Sequence, residues 1–205
     1  MADALDGVLP EATPRPRPLR AVRLSRAGAL LAVGLGIAFT APMHEQLEFV
    51  RWAAVAGLAL IGFATLGEYL VLRGTPAAAL IALRAAIAFV AIAALASAPS
   101  IAALALLLAA WAAITAAITM TGVLRGAVPR AAGAPSALLS AALAVALILV
   151  RDDAVAVIGF FGAYAIVRGV FLAISAFDLG NAAAPVGSTE PRNMDTALGG
   201  PTTAL

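Results

Sequence analysis

Residues 101–121 read IAALALLLAAWAAITAAITMT, a stretch with no charged side chain. As a helix rising about 1.5 Å per residue it is long enough to cross a hydrocarbon core about 30 Å thick. Further charge-free stretches lie at 52–67, 85–97, 137–150 and 154–167, and a first apolar run starts at Ala27. With their weakly polar flanks most of these reach spanning length. The whole chain agrees: 63% of its 205 residues are hydrophobic, 12% are charged, and the mean hydropathy is +1.02. Soluble domains are about half apolar and about a quarter charged. A water-exposed fold could not cover this surface, so the excess faces lipid or other helices.

Working outward, the breaks between apolar runs place six helices at about 21–41, 49–72, 77–97, 100–123, 134–150 and 153–177. Ala41-Pro42 stops the first, and Gly74-Thr75-Pro76 separates the second from the third. Ser97 to Ser100 forms a tight turn with Ser100 as N-cap. Gly126 to Ser136, with Pro129 and Pro135, separates the fourth from the fifth. Arg151-Asp152-Asp153 joins the fifth to the sixth, with acids suited to a helix start. The fold class is therefore an all-α polytopic membrane bundle of six transmembrane helices. Residues 1–20 read as a disordered, basic, Pro-rich arm and 181–205 as a disordered tail. Signal-peptide cleavage after Ala41 is disfavoured because Phe39 would occupy a small-residue position.

Arginine supplies every basic side chain, since the chain has no lysine. The N-terminal arm, Arg73 and Arg84, and Arg125 and Arg130 fall on one side of the membrane. Only Arg51 and Arg151 fall on the other, each with acids nearby. The positive-inside rule then puts both termini in the cytoplasm, and the bilayer itself is the first partner. Small-residue faces leave room for a homo-oligomer without specifying one. The pI of about 9.9 reflects this topology pattern and not a nucleic-acid partner. The chain has no cysteine, which excludes disulfides and thiolate metal sites.

The six helices also look like three tandem hairpins. Leu72-Arg73-Gly74 ends the second helix, Leu124-Arg125-Gly126 the fourth, and Leu179-Gly180 the sixth. Trp111 and Tyr164 take matching places in the fourth and sixth. Such spacing suggests duplication of one supersecondary unit, against the plainer reading of a common stop signal. Together with Gly162-Ala163-Tyr164-Ala165-Ile166-Val167-Arg168-Gly169-Val170-Phe171, this pattern resembles the HdeD family of small bacterial membrane proteins. The likeness covers about residues 25–180. The chain departs from it in the long outer turn from Pro42 to Glu48 and in the missing Tyr or Trp of the first hairpin. The resemblance implies an inner-membrane protein with a role in acid or envelope stress, and it carries over no catalytic residue.

Three charged residues interrupt the apolar helices: Glu68, Arg84 and Arg168. Glu68 and Arg168 each lie about 15 positions from the outer ends of their helices, roughly 22 Å deep, and Arg84 enters the same layer from the other side. A charge inside the bilayer is costly and calls for a partner. The functional reading is a Glu68–Arg168 pair with Arg84 nearby, forming a polar site or proton relay. The plainer and favoured reading is a structural pair, or side chains reaching separately to the interface. His44, on the outer turn with Glu45 and Glu48, is expected to be a solvated loop residue. Thr115 and Thr119 share a helix face, where hydroxyls usually bond their own i−4 carbonyl. Trp52 suits the outer interface belt. No nucleophile–base pair, metal-ligand set or cofactor motif is visible, so the expectation is a non-enzymatic protein without cofactors. The alternative is a small transporter or channel built around Glu68, Arg84 and Arg168.

Overall fold

The computed structural model describes the backbone of residues 18–75 and 77–181, and side chains over 21–75 and 77–176. Six α-helices make up the bundle: α1 Pro18–Phe39, α2 Leu47–Val71, α3 Ala78–Ala96, α4 Ile101–Leu124, α5 Arg130–Leu149 and α6 Ala154–Asn181. Each contains a segment long and apolar enough to cross a membrane. The arm expected over 1–20 and the tail over 181–205 lie almost entirely outside the described residues. Both overlap the helices at one edge: α6 runs to Asn181, and α1 already begins at Pro18, where a fixed φ and a missing amide proton suit the first helical position.

Two of the boundaries that differ from the sequence reading do so for plain local reasons. After α1 a short 3₁₀ turn, Ala41–Met43, forms around Pro42, so the helix stops at Phe39. α5 starts at Arg130 and runs through Pro135, which the sequence reading had placed in a connection. Pro129 takes the N-cap, and the amides of Ala132 and Gly133 both return to its carbonyl. The helix is therefore already nucleated when it reaches Pro135, and losing one later amide bond does not break it.

Consecutive helices are antiparallel neighbours, and α6 returns to pack on α1, so the six close into a ring. The α2–α3 and α4–α5 turns lie at the same end as the start of α1; we call this the arginine-rich face. The other three turns form the opposite face, where Arg51 Nη1 donates to the Ala98 carbonyl at 3.4 Å. The turns at the arginine-rich face are equivalent. Gly74 (φ 89°) and Gly126 (φ 71°) both adopt the left-handed conformation that side chains resist, each closing a Leu-Arg-Gly segment.

Packing is offset by one helix from the repeat seen in sequence. The most extensive interfaces join α2 to α3, α4 to α5 and α6 to α1, so they run between the hairpins and not within them. The α1–α6 seam shows why. A Cβ on Gly34 would strike Ile166 and the Gly162 carbonyl, and one on Gly169 would meet the Ala27 carbonyl at 3.1 Å. Small residues let these two backbones approach, which in lipid replaces the hydrophobic drive for association. Gly34, Gly162 and Gly169 thus serve contacts within this chain, while Gly28, Gly36, Gly67 and Gly159 meet open space.

The interior divides along the membrane normal. Towards the opposite face, Val50, Leu58, Leu95, Leu104, Leu147 and Phe161 are fully buried and fill the centre. Phe161 meets Trp111 edge-on, with ring centroids 6.2 Å apart at 73°. Towards the arginine-rich face the interior becomes polar.

Candidate functional site

Side chains from all six helices make the polar layer. α1 contributes Arg26, which is 7% exposed; α2 contributes Thr65 and Glu68; α3 contributes Arg84; α4 contributes Thr115; α5 contributes Ser140; and α6 contributes Tyr164 and Arg168. Arg26 shares the buried stripe Arg26, Leu30, Val33 and Ile37, whose spacing keeps one helix face inward. Arg168 is 6% exposed and lies four residues beyond Tyr164 on the same face.

These groups pair differently from the sequence reading. Glu68 and Arg168 do not meet. Arg26 Nη1 donates to Glu68 Oε2, an ion pair with both side chains largely buried. Arg168 Nη1 donates instead to the Tyr164 hydroxyl and, at 3.3 Å, to Ser140 Oγ. Ser140 Oγ donates to the Ser136 carbonyl at 3.0 Å. Its 3.1 Å contact with Tyr164 must then carry the tyrosine proton. Arg168 is thus held by neutral acceptors, with no carboxylate. The physical reason is geometric: Glu68 faces α1 across the α1–α2 contact, and α5 presents its hydroxyl to α6.

Arg84 is half-buried and has no ion-pair or hydrogen-bond partner among the described residues. Arg26 Nε is likewise buried without an acceptor. A cavity of about 20 Å³ lies between Arg26, Arg84 and Arg168, with Thr65, Trp111 and Thr115 completing much of its wall. Glu68, Arg84 and Arg168 therefore share one layer as the depth argument expects, but Arg26 takes the place expected for Arg168 as the partner of Glu68. Guanidinium groups stay protonated in proteins, so the layer holds three positive charges against one carboxylate. Breaking a buried pair by removing one partner costs about 3–5 kcal/mol, because the remaining charge is uncompensated.

Beyond the Arg26–Glu68 pair, towards the arginine-rich face, lies a vestibule of about 350 Å³. Val22 and Arg23 of α1, Leu72 and Thr75 after α2, and Gly126 of the α4–α5 turn line it, with Glu68 in its wall. The ion pair therefore bridges two spaces: Glu68 borders the vestibule and Arg26 borders the inner cavity.

No family model, curated protein or solved structure matches this chain. The site stands on its own geometry.

The remaining sequence candidates resolve individually. His44 is not solvated: it is 3% exposed, with Nε2 3.3 Å from Thr40 Oγ1 and its ring stacked near Phe49. The 3₁₀ turn folds the imidazole back over the bundle end. Thr119 Oγ1 bonds the Thr115 carbonyl at 2.7 Å, and Thr65 Oγ1 the Ile61 carbonyl at 2.8 Å, the local i−4 pattern expected of helical hydroxyls. Trp52 is exposed and donates to Glu48 Oε1 at 2.7 Å on the opposite face. Glu48 also accepts from Arg51, so the acid there answers the arginine beside it. Among the described residues no cluster of three His, Cys, Asp or Glu side chains is placed to hold a metal ion.

Proposed function

We propose that this chain is a non-enzymatic, multi-pass protein of a bacterial inner membrane, of the HdeD-like kind, acting in acid or envelope stress. The observation that carries the reading is the Arg26–Glu68 pair beside the vestibule. A proton on Glu68 would cancel its charge and leave Arg26 uncompensated in a buried layer. One protonation event would thereby change the balance of forces between α1 and α2. The charges that act on Glu68 are Arg26 and Arg23 from α1, Arg84 from α3 and Arg168 from α6.

Orientation follows from the arginines. Arg23, Arg26, Arg73, Arg84, Arg125 and Arg130 lie in the half of the bundle at the arginine-rich face, while Arg51 and Arg151 lie at the other. The positive-inside rule assigns the richer face, and with it both termini, to the cytoplasm. The vestibule then opens inward, with Glu68 in its wall. The layer also lacks a nucleophile activated by a base: the Thr65 and Ser140 hydroxyls are committed to backbone carbonyls.

The test is acid survival of a deletion strain complemented by wild type or by Glu68→Gln at equal membrane abundance. Loss of survival on deletion, rescued by wild type and not by Glu68→Gln, is expected. Normal survival of the deletion strain overturns the stress role.

A small transporter or channel is the second reading, and the vestibule is the observation in its favour. Conduction would require the packed Leu58, Leu104, Leu147 and Phe161 region to open. A cysteine introduced at position 65, below the ion pair, separates the two readings. It stays unreactive to aqueous thiol reagents in a sealed bundle and is labelled from both sides of the membrane in a conducting one.

A further inference from the structure

The arginine layer has more positive charge than the chain itself compensates. Arg26 has a carboxylate partner, Arg168 has only hydroxyls, and Arg84 has no partner among the described residues. All three line one cavity. Its volume of about 20 Å³ exceeds the roughly 10–15 Å³ that one water-sized sphere requires. It admits a monatomic ion or a water. Guanidinium N–H groups are donors only, and they are more weakly hydrated than ammonium groups, which favours capture of an anion in a desolvated site. Arg26 Nε, buried and without an acceptor, supplies a donor not used by Glu68. The buried Trp111 ring closes one side.

We propose that this cavity is a binding site for a small inorganic anion of the halide class, held between Arg26, Arg84 and Arg168. The ion supplies the negative charge the layer lacks. It reaches the cavity from the vestibule at the arginine-rich face, past the Arg26–Glu68 pair. Glu68 therefore competes with the halide for Arg26, because one carboxylate and one halide seek the same guanidinium. This assignment does not depend on the stress role proposed above.

The test is thermal unfolding of the purified full chain in detergent, titrated with sodium chloride or bromide against sodium gluconate at constant ionic strength. Chloride and bromide are expected to raise the midpoint by several degrees with saturation, while gluconate leaves it unchanged. Arg84→Gln removes a charge without stranding a partner, so it should fold, and its halide response should fall at least tenfold in apparent affinity. Glu68→Gln should be less stable than wild type in gluconate, be rescued by chloride, and bind halide at least fivefold more tightly. Arg51→Gln, at the opposite face, should leave the halide response unchanged. Equal stabilisation by gluconate, or a full halide response in Arg84→Gln, overturns the proposal. So does a wild type indifferent to every anion, with Glu68→Gln equally indifferent, since the cavity then holds a water only.

Discussion

The two halves of this bundle are built from the same six helices and solve opposite problems. The half towards the opposite face is filled by large apolar side chains, with Phe161 and Leu58 wholly buried. The half towards the arginine-rich face contains Arg26, Arg84 and Arg168 around a small cavity, below a larger vestibule with Glu68 in its wall. In the first, stability comes from contact between shapes. In the second it depends on whether each charge finds a counter-charge or an acceptor. Lipid offers neither half a hydrophobic reason to associate, so the difference rests on packing and polar pairing alone.

Substitutions that affect one half and spare the other test this division. The largest effect is expected in the apolar half: Phe161→Ala should cost about 3–5 kcal/mol of unfolding free energy, from lost contacts and the cavity left behind. Chloride should not alter that loss. Tyr164→Phe should cost about 1.5–3 kcal/mol, because Arg168 loses its hydroxyl acceptor while the ring keeps its packing on Trp111. A chloride-dependent loss there, measured by the same unfolding titration, would sharpen the contrast. Gly34→Ala crosses both halves through the α1–α6 seam and should cost about 1–3 kcal/mol by overpacking. Gly36→Ala, where a Cβ meets open space, is the control and should be near neutral. A smaller loss than that at Phe161 is expected at the turn: Gly74→Ala places a side chain at positive φ and should cost about 1–2 kcal/mol. If Gly74→Ala proved more harmful than Phe161→Ala, the apolar half would not be the principal source of stability.

The six spans were legible because their signal is length without charge, and charge-free runs such as 101–121 need no knowledge of tertiary contacts. The start of α5 was not. Proline statistics favour a break at Pro135, while the actual helix was already nucleated from Pro129. Among the charged residues, Arg84 and Arg168 stood out by their apolar surroundings, and their common depth followed from helix rise alone. Arg26 did not stand out, although its spacing to Leu30, Val33 and Ile37 marks it as part of a buried stripe. The choice of Arg26 over Arg168 as partner for Glu68 depends on which helices touch, and residue spacing within one helix does not encode that. His44 was misplaced for a similar reason, since its burial comes from a turn folding back on the bundle.

The closure of the ring by α1 against α6 has a consequence for how the molecule is made. A ribosome delivers α1 well before α6, so the Gly34 face of α1 waits in the lipid until α6 has been synthesised. Arg26, on that same helix, does not wait as long, because Glu68 arrives with α2 and the first hairpin enters the bilayer carrying its own counter-charge. Arg84 and Arg168 come later, on helices that bring no acid into the layer. A chain truncated before α6 would therefore keep the Arg26–Glu68 pair, yet still display an unfilled seam.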